Sequence, residues 1–312
     1  MANHNNTERL RMLRKASWVG IAGNFFLSVL KIVVGFISGS FAVIGDGIDS
    51  LSDVVTYFIT LFTTRIISKP PDSKYPYGYR KAETISTKVL SFIIFFAGAQ
   101  LMISTAGKLF SSEPREMPSI IAIYITVVSI IVKAFLSAWQ FKVGKSYQSS
   151  MIIANAKNMR NDILISISVL LGLIFTFLLK MPVLDLITAL LVSLWIMWVA
   201  FNIFRETNLE LMDGMPDTEI YFKIFKSVDQ VKGAHNPHRI RVRKLADLYL
   251  IALDIEVDGS IVVSEAHEIA KKIELKLKQN IPHVYDVLVH IEPYGNIEKD
   301  EVFGVSRGNL KQ

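Results

Sequence analysis

The sequence predicts an α-helical membrane protein with six transmembrane helices and a C-terminal α+β domain outside the bilayer. Three observations carry this. Roughly the first two thirds of the 312 residues hold repeated apolar runs of about 20 residues, the length that crosses a bilayer core as a helix. The chain is 51% hydrophobic, with a mean hydropathy of +0.38. After Glu206 the pattern changes to short helix-like and strand-like segments in alternation.

The spans are read at 17–37, 42–66, 84–107, 118–141, 150–179 and 184–204, after an N-terminal segment at 1–16. Their loops orient them. "ERLRMLRK", "RIISKPPDSKYPYGYRK" and "FKVGK" are basic, whereas "SGS" and "KMP" are short, and "KLFSSEPREMP" sets Lys108 and Arg115 against Glu113 and Glu116. Basic loops mark the cytoplasmic side, so both termini are expected there. The first span has no small-residue cleavage site behind it and reads as a retained helix, not a signal peptide. The net charge of +6 lies largely on these flanks and is no sign of nucleic-acid binding. With no cysteine, any metal must be held by oxygen or imidazole.

Beyond the transmembrane domain, 17–208, residues 209–295 read as helix, strand, strand, helix, strand. "HRIRVRKL" and "LYLIALDIEVDG" alternate with the period of a half-buried sheet, and "VYDVLVHIEP" supplies a third strand. "DTEIYFKIFKSVDQV" and "VSEAHEIAKKIELKLKQNI" are the helices, the second with Ser264 near its N-cap. Helices on one face of a small sheet fit that order. Residues 296–312 read as a flexible tail.

The stretch "IGDGIDSLSDVV" breaks the apolar pattern of the second span with three aspartates. Asp49 and Asp53 are four residues apart and share one helical face, where two carboxylates repel unless a cation or protons sit between them. In the fifth span, "ANAKNMRNDILISISV" repeats the spacing with Asn158 and Asp162. Two helices carrying such pairs can close a four-ligand cage made of oxygen alone. Asp46, close to the end of its span, reads as a capping or snorkelling residue.

The strings "DSLSD", "KYPYGYRKAE", "ANAKNMRND", "LMDGMP", "EAHEI" and "VLVHIEP", in that order and spacing, resemble the cation diffusion facilitator family of divalent metal exporters. The resemblance covers about residues 10–295. It implies a homodimer that exchanges a divalent cation for protons by alternating access, with a metallochaperone-like (ferredoxin-like) cytoplasmic domain. A bacterial inner, cytoplasmic membrane is the expected location.

The resemblance places the transport site on Asp49, Asp53, Asn158 and Asp162. Zinc-type members carry histidine at the Asn158 position and often at that of Asp49. Imidazole suits zinc, whereas carboxylate and carbonyl oxygens suit manganese, so Mn2+ is the expected cargo, with Fe2+ next and Zn2+, Co2+ and Cd2+ open. An accessory ion site in the loop after the second span is expected to be missing, because Tyr75 and Tyr79 stand where zinc transporters have histidines, leaving Asp72 alone. The resemblance also implies a cytoplasmic metal site at His238, Asp254, His267, His290 and Glu292, with His235 nearby and His283 in a loop. Lys81 and Asp213 match a charge pair that joins the two subunits near the membrane surface.

No enzymatic activity is expected. A non-transporting membrane sensor or scaffold, binding cations and partner proteins through its soluble domain, is the alternative; an intact oxygen cage argues against it. An ion-coupled carrier of organic substrates would want helices broken by glycine or proline at the site, and no proline lies near either pair.

Overall fold

The computed structural model describes residues 2–67, 69–111, 115–147, 149–245, 248–296 and 303–310. The chain divides into two compact units, one of Met1–Arg65 and Ser86–Phe204, the other of Ile66–Ile85 and Arg205–Gln312.

The first unit is built from α1 (Ala2–Ser38), α2 (Phe41–Ile67), α3 (Lys81–Phe110), α4 (Ile121–Ser146), α5 (Ser150–Leu178) and α6 (Val183–Leu211), except that the end of α2, the start of α3 and the end of α6 belong to the second. Helices α1, α3, α4, α5 and α6 each contain a stretch long and apolar enough to cross a membrane. α2, 27 residues long, carries Asp46, Asp49 and Asp53 within its apolar sequence. Helical backbone runs past several expected spans, as at the start of α3 and the end of α6. Lys81, Glu83, Arg205 and Glu206 in these extensions are good helix formers.

The packing is apolar outside and polar inside. Phe62, Phe96, Phe135 and Trp198 are exposed, while Lys31, Asp46, Ser50, Lys133, Asp162 and Ser166 are buried. That inversion suits a bundle solvated by lipid, where polar groups must find one another internally. Between them runs an apolar core that includes Leu90, Ile94, Val169, Leu173, Val192 and Ile196. α1 and α2 meet closely at Gly47: a Cβ there would lie 2.7 Å from Ile32 Cγ1 and 3.2 Å from Lys31 Cβ. Small residues permit such approach. α1 ends at Gly39, in the left-handed region at φ 71, and Asp185 of α6 accepts the Phe41 N–H at 2.8 Å to cap α2.

In the second unit α7 (Glu219–Val228), β1 (His235–Leu245), β2 (Leu248–Val257), α8 (Val263–Asn280) and β3 (Val284–Pro293) follow the order read from the sequence. The sheet order is β1-β2-β3, with β1 antiparallel and β3 parallel to β2. Ile251, Leu253, Ile255 and Val257 alternate onto one face, packed with Ile224, Phe225 and Val228 of α7 and Ile273 and Leu277 of α8. Asp254 and Glu256 therefore fall on the other face.

Two details differ from the sequence reading. Helix α8 starts at Val263 after Val262 in extended conformation, with no side-chain cap; Ser264 is already inside the helix, and Glu265 supplies the favourable first-turn charge. The tail is also tied down over its described part. Val305 pairs with Ile240 at the outer edge of β1, and Val305 and Leu310 pack on the core. Arg307 ion-pairs with Asp229 and lies over the Phe225 ring, 5.1 Å from its centroid. An open strand edge and a cationic side chain give this segment the partners that its composition alone does not reveal.

Candidate metal centres

In the first unit, α2 and α5 bring their paired residues together. The Asn158 amide donates to Asp53 Oδ1 at 3.2 Å, and the Asp162 carboxyl lies near enough to Asp53 to act on it electrostatically. Asp49 sits one turn before Asp53 on the same face. Asp162 is buried, Asp49 and Asp53 are half-buried, and Asn158 is exposed, so the oxygens run from the surface of the unit into its interior.

Two lysines the sequence reading missed stand in this polar interior. Lys133 of α4, with no exposed surface, places Nζ 2.9 Å from Asp162 Oδ2 and donates to Ser50 Oγ at 2.9 Å. Lys31 of α1, also fully buried, lies 2.7 Å from Asp46 Oδ2 and donates to Ser166 Oγ at 2.9 Å, and Ser166 donates to Asp46 Oδ1 at 2.8 Å. Asp46 is thus neither a cap nor a snorkelling residue; it is buried because a cation from α1 is buried with it. The signal was one lysine within each of two apolar runs, "SVLKIVVGF" and "IIVKAFL".

In the second unit, His238, Asp254 and Glu292 are buried and their ligand atoms lie within 4.8 Å of one another. The register explains it: β2 sets Asp254 opposite His238 on one side and His290 on the other. His238 Nδ1 is 2.7 Å from the Asn236 carbonyl, and its Nε2 is 3.4 Å from Glu292 Oε2. His290 is exposed but reaches Glu292 Oε1 at 3.4 Å.

Neither Glu292 oxygen has a hydrogen-bond donor among the described residues, although both are buried. Its neighbour across the strand pair, Glu256, is fully supplied: Asn236 Nδ2 donates at 2.5 Å and the Gly295 N–H at 3.1 Å, and these bonds hold its carboxyl below the usual carboxylate range. A buried carboxylate without a hydrogen-bond donor, beside an imidazole and a second carboxylate, suits a cation. Asp254 is already held by Arg239, 3.0 Å away, and more loosely by Arg241 at 3.8 Å.

His267 does not join this cluster. It is exposed on α8, and α8 packs on the opposite face of the sheet from Asp254.

Lys81 and Asp213 pair within one chain, at 2.9 Å, with Arg243 Nε 3.2 Å from the second Asp213 oxygen. Asp213 follows α6 in the left-handed region at φ 56, a turn that brings it to Lys81 at the first residue of α3.

In the loop before α3, Tyr79 donates its hydroxyl to Asp72 at 2.6 Å, and the Lys74 and Tyr75 N–H groups donate at 2.9 and 2.8 Å. The phenol bond is the main cause holding the Asp72 carboxyl below its usual range.

Comparison with known proteins follows the same division. The cation efflux transmembrane domain matches residues 17–212, and the cytoplasmic domain of cation efflux proteins matches residues 216–294. The chain is 31% identical over 291 residues to the uncharacterized transporter YdbO of Bacillus subtilis, covering 92% of this chain and 98% of that one. It is 28% identical over 287 residues to the manganese efflux system protein MneS of the same organism, covering 92% and 97%. Among solved structures, the metal-bound C-terminal domain of the CzcD transporter from Thermotoga maritima is 41% identical, covering 27% of this chain and all of that one, with a TM-score of 0.26.

Proposed function

The chain belongs to the cation diffusion facilitator family and is a divalent cation efflux transporter, not an enzyme, and from that premise we propose that it exports manganese in exchange for protons. The observation that most supports this is the meeting of the two spaced pairs, where the Asn158 amide touches Asp53 and Asp162 stands near enough to act on the same carboxyl. All the donors are oxygen once the amide turns its carbonyl to the ion. Such a set suits Mn2+ first and Fe2+ next, and Zn2+, Co2+ or Cd2+ less well. Two curated relatives, each 28% identical, are named manganese efflux system proteins.

Exchange follows from electrostatics. Carboxylates gathered in a poorly solvated bundle need positive charge close by, and either a divalent ion or protons can provide it. The two compete for the same oxygens, so alternating exposure of one site yields antiport. Asn158 has no proton to exchange, so the coupling falls on Asp49, Asp53 and Asp162. The working unit is a homodimer in a bacterial cytoplasmic membrane with both termini inside, and the soluble domain senses the ion and does not conduct it.

Asn158→His tests selectivity. An added imidazole should raise zinc transport relative to manganese by about tenfold, measured for both metals in the same proteoliposomes. An unchanged ratio would place selectivity outside these four side chains.

His238, Asp254 and Glu292, joined by His290, are the residues that would hold the regulatory ion. Calorimetric titration of the purified chain with Mn2+ or Zn2+ should show a binding component that Glu292→Gln removes and His267→Ala leaves intact. Persistence of that component in Glu292→Gln would reject the assignment.

A further inference from the structure

Lys133 is a buried group in the bundle that this transport scheme leaves unused. Its ammonium lies against one of the candidate ligands, 2.9 Å from Asp162 Oδ2, and donates at 2.9 Å to Ser50, which lies between Asp49 and Asp53 on α2. Asp46, Asp53 and Asp162 all act on it electrostatically. Lys31 has a different position. Its partners, Asp46 and Ser166, belong to no candidate ligand set, and it ties α1 to α2 and α5.

We propose that Lys133 is a tethered cation that holds Asp162 when the transport site is empty and is displaced from it by the arriving metal. The proposal rests on reading Asp49, Asp53, Asn158 and Asp162 as the transport site. Its physical basis is simple. A unit positive charge within a few ångströms of an entering divalent ion repels it, and that repulsion is strong in a poorly solvated interior. The ammonium also shields Asp162 from being left buried without a counter-charge after the ion departs, a state that is costly. A lysine suits this part, since its four-carbon stem lets the charge move while remaining in the site. Lys133 therefore weakens binding and speeds release. A transporter gains from that exchange, because an ion held too tightly does not leave.

The test is a titration of Mn2+ into the full purified chain at about pH 8, where proton competition is limited, with Asp49→Asn as the blank for ions bound by the soluble domain. The transport-site component in Lys133→Met should bind about tenfold more tightly, and Lys133→Arg, which keeps the charge, should stay near wild type. In proteoliposomes Lys133→Met should lower KM and kcat together, a split that a merely structural ion pair would not produce. If Lys133→Met does not fold, Ser50→Ala decides. It keeps the charge but removes its anchor, and should tighten binding by about threefold. Unchanged or weaker binding in folded Lys133→Met, or unchanged binding in Ser50→Ala, overturns the proposal. A titration in which Asp49→Asn removes no component instead overturns the transport site itself.

Discussion

Asp49→Ala should abolish manganese transport while leaving the protein folded. Residues that merely orient a metal's ligands are worth about 10 to 100-fold in affinity or activity, so loss of a charged ligand should exceed a hundredfold. Asp49 is half-buried and, among the described residues, has no ion-pair partner of the kind that fixes Asp46 and Asp162. Its removal therefore takes away a ligand without stranding a buried charge. Asp162→Ala differs. It also strips Lys133 of its carboxylate, and breaking one half of a buried pair costs about 3–5 kcal/mol, so transport and folding should fail together. Vesicle uptake of Mn2+, read beside the elution profile of each variant, separates the two cases. Near wild-type uptake by folded Asp49→Ala would contradict the assignment.

Lys31→Met should strongly damage the fold of the membrane unit. Lys31 and Asp46 are both fully buried and 2.7 Å apart, where α1 and α2 approach at Gly47. Removing the lysine alone leaves an unpaired carboxylate inside the bundle, at a cost of about 3–5 kcal/mol, enough to deplete a marginally stable protein. Replacing both members, Lys31→Met with Asp46→Leu, removes the stranded charge and should recover most of the folded protein. Thermal melting in detergent of the single and double variants checks this. Equal destabilisation in both would mean that packing at Gly47, not charge, dominates there.

How much of this was legible in the sequence depended on whether the signal was periodic. The i,i+4 spacing of Asp49 with Asp53, and of Asn158 with Asp162, puts each pair on one helical face, and the two pairs do come together. Period-2 alternation in "LYLIALDIEV" likewise gave the strand and its inward face. Lys31 and Lys133 carried no period, and an isolated lysine in an apolar run is easily averaged into hydrophobicity, although its isolation is the clue. His267 is the opposite case: within the chain it stands apart from the cluster. Its place in a helix opening near the other histidines is visible in sequence, but the face of the sheet against which that helix packs is not. The tail was misjudged because its partners, the edge of β1 and Asp229, lie far away along the chain. Lys81 with Asp213 could be paired by resemblance, but the left-handed turn at Asp213 that holds their contact within the chain could not be read there.

The central claim is that a divalent cation and protons exchange at one oxygen-lined site. Its most direct test is a proteoliposome carrying a trapped pH-sensitive dye, to which Mn2+ is added on one side only. The account predicts proton movement opposite to the metal, rising with the Mn2+ gradient, absent in Asp49→Ala and retained in Asn158→Asp, where a further carboxyl can join the exchange. Manganese accumulating down its gradient with no counter-flow of protons would contradict it.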